Sequence, residues 1–124
     1  MSVATSLIAV IDDDELQRRS LSRLVRRAGF DALSFSSAED FLASPARASL
    51  RCLLLDIQLG GMSGLALHQQ LLAQGDRTPV IYITAHDDEA TRTAALKSGC
   101  AAFLLKTDAI STIIDTLRRA TSAP

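Results

Sequence analysis

The sequence has no excess of either charge, few prolines and no long apolar run. Thirteen Lys and Arg residues balance 14 Asp and Glu residues, and the predicted isoelectric point is about 6.1. Because a dedicated nucleic-acid binder carries a clear basic excess, we expect no direct nucleic-acid binding by this chain. Only three of the 124 residues are proline and 48% are hydrophobic, so the composition favours a single globular domain over a disordered chain.

Segments that would direct the chain into or across a membrane are also missing. No apolar run approaches the roughly 18 residues that a transmembrane helix needs, and Met1 to Ser6 lacks the basic and apolar regions of a secretory signal. We therefore predict a cytoplasmic protein without a membrane partner. The cysteines, Cys52 and Cys100, stand where two strands are expected to begin, and we predict free, buried thiols in a reducing compartment.

Short apolar runs alternate with helical patterns along the whole chain, which is typical of βα units around a parallel sheet. The runs are Leu7 to Ile11, Ala32 to Phe35, Cys52 to Leu55, Val80 to Thr84 and Ala101 to Leu105. Right-handed crossovers favour the spatial order 2-1-3-4-5 for five such strands. We predict a doubly wound, flavodoxin-like (βα)5 α/β fold, one domain over 1–124 with its core at about 7–120 and a tail or linker start at 121–124.

Capping residues and apolar spacing predict five helices. The first is capped by Asp14, runs to Ala28 and is stopped by Gly29, with an arginine-rich face that is either solvated or a docking surface. The others are expected from Ser37 to Ala43, from Ser63 or Gly64 to Ala73, from Asp87 to Ser98 and from Asp108 to Ala120. The side chains predicted to face the core are Leu16, Leu21, Leu24, Val25 and Ala28 in the first helix, and Ile110, Ile113, Ile114 and Leu117 in the last. His68 and His86 are predicted to lie at the surface or in loops.

Acidic residues follow two strands that this strand order makes neighbours. Asp12 and Asp13 come directly after the first strand, and Asp56 comes directly after the third. The carboxyl ends of parallel strands meet at one edge of a sheet, so folding should gather these side chains, and their mutual repulsion calls for a cation between them. Mg²⁺ prefers such hard oxygen ligands. The sequence therefore predicts a Mg²⁺ site at this edge.

Asp56 ends an apolar strand beside the predicted cation, which makes its carboxylate a candidate nucleophile toward phosphorus. Thr84 ends the fourth strand and Lys106 follows the fifth. A hydroxyl and an ammonium at the same sheet edge can hold phosphoryl oxygens by charge-assisted hydrogen bonds. The combination, rather than any single residue, indicates phosphoryl transfer to Asp56.

Several segments resemble a known family. IDDDE, LLLDIQLGGMSG, VIYITAH and AAFLLK resemble the receiver domain of two-component response regulators, and DDDELQRRSL, GFDALSFSSAEDFL and GMSGLAL resemble FixJ-type transcriptional regulators. The resemblance implies that a sensor histidine kinase phosphorylates Asp56. It also implies Mg²⁺ bound by Asp13 and Asp56 directly, by Asp12 largely through water, and by the backbone carbonyl of Gln58.

The same resemblance implies a switch. Thr84 would swing toward the phosphoryl group, Phe103 would move with it, and Lys106 would contact the phosphate. The phosphorylated form would expose a dimerisation or output surface, and catalysis would be limited to the domain's own phosphorylation and dephosphorylation. The leading interpretation is the receiver of a transcription factor whose output domain lies outside this chain.

Thr107 and Gly60 depart from the family's pattern, because receivers usually have proline at both positions. The first change leaves open whether the preceding peptide bond is cis, and the second should loosen the Gly60–Gly61 segment. Three alternatives stay open: a free-standing receiver, a degenerate receiver that binds partners without phosphorylation, and a Mg²⁺-dependent phosphohydrolase that forms an aspartyl-phosphate. Such hydrolases, in the haloacid dehalogenase superfamily, place a second Asp two residues after the nucleophile, where this chain has Gln58.

Overall fold

The computed structural model describes residues 6–122, which form a five-stranded parallel sheet with helices on both faces. The strands are β1 (Leu7–Ile11), β2 (Asp31–Phe35), β3 (Cys52–Asp56), β4 (Val80–Thr84) and β5 (Ala102–Leu105). Their order is β2-β1-β3-β4-β5 and every pairing is parallel, which confirms the predicted doubly wound fold. Only strand ends differ from the prediction, because β2 begins at Asp31, β3 includes Asp56 and β5 begins at Ala102.

Within residues 6–122, five α-helices connect or follow the strands. They are α1 (Glu15–Arg27), α2 (Ala38–Ala43), α3 (Gly64–Ala73), α4 (Glu89–Lys97) and α5 (Ile110–Ser122), with a short 3-10 helix at Pro45–Ser49. The predicted caps Asp14 and Ser37 are confirmed, and Ser63, expected only as a helix start, caps α3: each accepts a hydrogen bond from a backbone N–H in the first turn.

The starts of α4 and α5 lie later than predicted. Asp88 caps α4 by accepting from the Thr91 N–H at 2.8 Å, while Asp87 pairs with Arg92 instead. The Asp108 carboxylate accepts a hydrogen bond at 2.9 Å from the N–H of Leu105, three residues before it. Asp108 therefore closes the turn after β5 rather than capping the helix. At its other end α5 continues to Ser122, and residues 123–124 of the predicted tail lie outside the described part of the chain.

Two apolar layers cover the sheet. On one face, Ile8 and Val10 of β1 pack with Val25 of α1 and with Ile113 and Leu117 of α5. On the other face the helices contribute Phe41 from α2, Leu67 and Leu71 from α3, and Ala95 from α4. Every residue of β3 and β4 is buried, which explains why these strands show apolar runs without alternation. Among the described residues, no helix is both long and apolar enough to cross a membrane.

Leu16 and Ile110 were predicted to face the core, and this is wrong. Their exposed fractions are 75% and 52%. Both lie in the first turn of their helices, beyond the carboxyl ends of the strands, so no sheet lies beneath them. The exposed apolar side chains therefore flank the same edge that carries the acidic residues.

The cysteines divide in their burial. Cys52 lies fully buried on β3, and burial raises the pKa of its thiol to about 12. Cys100 is only half-buried and lies in the loop before β5, so its predicted place at a buried strand start is wrong. Both thiols are free, as predicted.

His86 is exposed, as predicted, but His68 is 3% exposed and the surface assignment for it is wrong. His68 lies on the face of α3 that carries Leu71 three residues later, and its Nδ1 lies 2.8 Å from the Tyr82 hydroxyl of β4. The hydrogen bond satisfies both buried polar groups, and it links α3 to the centre of the sheet.

Burial lowers the pKa of His68 from its ordinary 6.5. The unfolded chain therefore binds this proton more readily than the folded one, and the free energy of unfolding should fall as the pH drops through about 6.5. Replacing His68 by Gln should flatten that dependence, whereas replacing the exposed His86 by Gln should not. Urea unfolding between pH 8 and pH 5, read by circular dichroism, checks this; equal slopes for His68→Gln and the unaltered chain would contradict it.

Candidate functional site

The predicted gathering of three carboxylates at the sheet edge is confirmed. Asp12, Asp13 and Asp56 each place one oxygen within 4.8 Å of the others. The register of β1 on β3 explains this, because Ile11 pairs with Leu55 and the chain delivers an aspartate just beyond each. Asp12 and Asp56 are buried, whereas Asp13 is exposed.

Lys106 joins the two buried carboxylates. Its Nζ lies 2.8 Å from Asp12 Oδ2 and 2.8 Å from Asp56 Oδ2, and it also contacts Gln17 Oε1 of α1. The contact with Asp12 is an ion pair without hydrogen-bond alignment. One buried oxygen of Asp12 thus has no aligned donor, which leaves it available to a stronger ligand.

Burial and charge oppose each other in this pair. Burial raises the pKa of Asp56, and the hydrogen bonds from Lys106 and the Gln58 N–H only partly counter it. Burial lowers the pKa of Lys106, but its hydrogen bond to Asp56 and the negative charges of Asp12 and Asp56 outweigh this effect, so the net direction is upward. The lysine therefore stays protonated and holds the carboxylates together at neutral pH.

Local turns fix the carboxylates in place. Asp12 Oδ1 accepts from the Asp14 N–H at 2.9 Å, and Asp56 Oδ1 accepts from the Gln58 N–H at 3.0 Å. Each turn occupies one oxygen and leaves Oδ2 facing Lys106. Asp13 differs, since its Oδ2 accepts from the N–H of Gly60 at 3.1 Å, across the loop that follows β3.

A small cleft of about 200 Å³ contains the site. Its lining comprises Asp12, Asp13, Asp14, Gln17, Asp56, Gln58, Ala85, His86 and Lys106. Asp14 was predicted only as a helix cap and His86 only as a surface or loop residue, and Gln17 and Ala85 were not singled out. Gln17 had a detectable signal, because it lies one turn after the Asp14 cap at the carboxyl end of β1.

Thr84 does not line this cleft. It is fully buried, and its hydroxyl oxygen accepts from the His86 N–H at 3.1 Å. Its register places it on the same sheet face as Phe103, because Tyr82 pairs with Phe103 and Thr84 is two residues further along β4. The predicted switch residues are thus neighbours on the α4 side of the sheet.

Phe103 is half-buried and covered by a residue of α4. The Arg92 guanidinium lies 4.9 Å from the centre of the Phe103 ring, and the same group makes hydrogen bonds of 2.9 and 3.1 Å to Asp87. The cation–π contact attaches α4 to β5, and the ion pair holds Arg92 to the loop that precedes α4. These contacts involve no buried side chain of α4, whose one buried residue is Ala95.

Gly60 and Thr107, which stand where proline is usual, lie in the loops after β3 and β5. The bond between Lys106 and Thr107 is trans, since the described residues contain no cis peptide, and the Lys106 N–H donates to the Thr84 carbonyl at 2.9 Å. After β3, the Met62 N–H donates to Glu39 Oε2 of α2 at 3.1 Å. Gly64 allows α3 to start against β3, because a Cβ there would lie 2.3 Å from the Asp56 carbonyl oxygen.

The donor set fits Mg²⁺. Three carboxylates converge, one buried oxygen of Asp12 lacks an aligned donor, and the acceptors are all hard oxygens. Asp12, Asp13 and Asp56 would hold the ion, with Gln58 lining the same cleft.

Comparison with known proteins gives consistent matches. The family described as the response regulator receiver domain matches residues 8–118. Among curated proteins, the chain is 39% identical over 106 residues to the response regulator protein TodT of Pseudomonas putida, covering 86% of this chain and 47% of that protein. It is 35% identical over 99 residues to the transcriptional regulatory protein FixJ of Bradyrhizobium diazoefficiens, covering 80% and 48%.

Solved structures agree. The response regulator StyR superposes with a TM-score of 0.86 at 35% identity, covering 96% of this chain and 60% of that one. The structure of FixJ-N gives a TM-score of 0.86 at 30% identity, covering 98% of both chains. The chain spans about half the length of the curated relatives TodT and FixJ. The matched family, the shared fold and the clustered carboxylates lead to one conclusion: this chain belongs to the response regulator receiver domains of two-component systems.

Proposed function

We propose that the chain is a phosphorylation-controlled switch in which a sensor histidine kinase transfers a phosphoryl group to Asp56. The observation that carries this proposal is Lys106, whose ammonium bridges two buried carboxylates from adjacent strands within a cluster of three. A structural ion pair would not need the third carboxylate, Asp13, exposed at the mouth of the cleft.

The transfer balances simply. A carboxylate oxygen of Asp56 attacks the phosphorus of a phosphohistidine, an O–P bond forms, the P–N bond breaks, and its electron pair returns to the imidazole. The Lys106 ammonium donates charge-assisted hydrogen bonds to the phosphoryl oxygens during the transfer. A bound Mg²⁺ would supply positive charge to the phosphoryl oxygens. The domain thus catalyses only its own phosphorylation and dephosphorylation, and Gln58, in place of an acid, supplies no proton for ester hydrolysis.

Side chains beside the cleft form a surface on which the kinase can dock. Leu16 and Ile110 are exposed there, and a groove of about 320 Å³ between α1 and α5 includes Arg23, Arg27 and Lys106 in its lining. Apolar first turns flanked by arginines suit a helical partner that carries acidic residues. The arginine-rich face of α1 thus serves docking as well as solubility.

The output follows from the weak attachment of α4. Phosphorylation adds roughly 1.5 to 2 negative charges, by analogy with phosphoserine, and the Thr84 hydroxyl reaches them only when the segment after β4 moves. Because α4 buries only Ala95, a small change in free energy is enough to shift the helix. The contact between Arg92 and Phe103 shifts with it. We propose that this exposes a dimerisation surface and that an output domain controls transcription, as the name of FixJ indicates for that relative. A free-standing receiver is the alternative.

Incubation with acetyl phosphate and Mg²⁺ should add the mass of one phosphoryl group to the intact protein. The addition should be labile at alkaline pH, as acyl phosphates are, and Asp56→Asn should abolish it because the nucleophile is lost. Intact-mass spectrometry measures both. A protein that gains no labile mass would be a degenerate receiver, and one that continuously hydrolyses a phosphate ester would be a hydrolase.

Replacing Lys106 by Met should raise the pKa of Asp56 further, because the hydrogen bond and charge that lower it disappear. Phosphorylation by acetyl phosphate should also be slower, since no ammonium is left to bind the phosphoryl oxygens. Carboxyl ¹³C shifts followed against pH, without added Mg²⁺, report the pKa. Lys97, the chain's other lysine, is exposed, so Lys97→Met is the matched control; an unchanged Asp56 pKa in Lys106→Met would refute the assigned role.

Thr84 should couple phosphorylation to assembly. We expect the phosphorylated chain to sediment as a dimer, and Thr84→Ala to be phosphorylated at Asp56 yet stay monomeric, because it lacks the hydroxyl that draws the loop inward. Thr84→Ser keeps that hydroxyl and should still dimerise. Analytical ultracentrifugation with acetyl phosphate separates these cases, and a Thr84→Ala protein that dimerises like the unaltered chain would show that another group transmits the change.

A further inference from the structure

Asp13 is held differently from the other two carboxylates. Asp12 and Asp56 are buried, and each contacts Lys106 and a backbone N–H two residues further along. Asp13 is exposed, and within residues 6–122 its carboxylate has one hydrogen-bond donor, the N–H of Gly60 at 3.1 Å. The position of Asp13 in the cluster therefore depends on a loop that lies 47 residues away in sequence.

That loop is itself anchored on its far side. The Met62 N–H donates to Glu39 Oε2 of α2 at 3.1 Å. Gly61 adopts φ +76°, a left-handed conformation that favours glycine, and it lies against the Glu39 carboxylate, because a Cβ there would be 2.8 Å from Glu39 Oε2. The donor at Gly60 thus sits between Asp13 and a loop segment held by α2.

Gly60 differs from Gly61 in what it supplies. Its φ is outside the left-handed region, since the positive-φ glycines of the described residues are Gly29, Gly61, Gly75 and Gly99. A Cβ on Gly60 would lie 3.7 Å from Asp13 Oδ2, an ordinary contact. Neither backbone conformation nor space requires glycine here, so what this chain has and the proline usual at this position would lack is the backbone N–H.

We propose that Gly60 is a positioning residue of the cation site, acting through its N–H on the Asp13 carboxylate; this rests on the proposed function. The hydrogen bond keeps Asp13 within reach of Asp12 and Asp56, and it offsets part of their mutual repulsion. A carboxylate offers about four acceptor positions, so one N–H leaves room for a cation. The site is thereby partly assembled before Mg²⁺ arrives.

The test compares Gly60→Pro with Gly60→Ala. Proline removes the N–H, whereas alanine keeps it and adds only a tolerated methyl group. Mg²⁺ titration followed by amide chemical shifts should show about two- to tenfold weaker binding for Gly60→Pro, the loss of one hydrogen bond. Gly60→Ala should stay within about twofold of the unaltered chain, since that hydrogen bond remains. Equal affinities for the proline variant and the unaltered chain, or an alanine variant as weak as the proline variant, would overturn the proposal.

Amide hydrogen exchange tests the same contact without Mg²⁺ and without the proline variant. It decides the question if Gly60→Pro shows no cooperative unfolding and is therefore not properly folded. In Asp13→Ala the Gly60 amide loses its acceptor and should exchange several-fold faster, whereas the Met62 amide, bound to Glu39, should keep its rate. An unchanged Gly60 rate would overturn the inference. If the unaltered chain ignores millimolar Mg²⁺ while Gly60 exchange responds to Asp13→Ala, the contact stands and the proposed metal-dependent function fails.

Discussion

The ammonium of Lys106 between Asp12 and Asp56 is the interaction on which the site depends. Two carboxylates buried side by side repel each other strongly, and the pKa of Asp56 already lies above its ordinary value because of burial. Without the lysine, folding would have to leave these groups protonated or exposed. The lysine therefore lets the fold keep an ionised, buried nucleophile, and it stands where incoming phosphoryl oxygens would need positive charge.

The strand order explains why a few residues are enough to build the charged cleft. Strands β1 and β3 are neighbours at the point where the sheet reverses its winding, and β4 and β5 follow in order. A carboxylate or cation at the carboxyl end of each of these strands therefore meets the others at one edge of the sheet. Each local turn then fixes one oxygen of Asp12 and Asp56, so the chain needs only short sequence motifs to build a charged cleft in an apolar domain.

Most of the fold, and the meeting of Asp12, Asp13 and Asp56, followed from the sequence, because apolar runs set the strands and crossover handedness sets their order. What failed depended on where helices sit relative to the sheet or on partners distant in sequence. Leu16 has the right spacing for a core residue, yet it overhangs the sheet. His68 is polar, but Tyr82 satisfies it in the interior. The Gly60–Asp13 contact has no local pattern, since the loop that makes it is placed by tertiary structure.

The hydrogen bond between His68 and Tyr82 has a spectroscopic consequence. Tyr82 is the chain's one tyrosine and the sequence has no tryptophan, so all tyrosine fluorescence comes from a single ring. That ring is fully buried on β4, two residues before Thr84 and paired in register with Phe103. Its quantum yield depends on the imidazole that accepts or donates at its hydroxyl. The molecule therefore carries an intrinsic fluorophore at the junction of α3, α4 and the sheet, which reports on this region without any label.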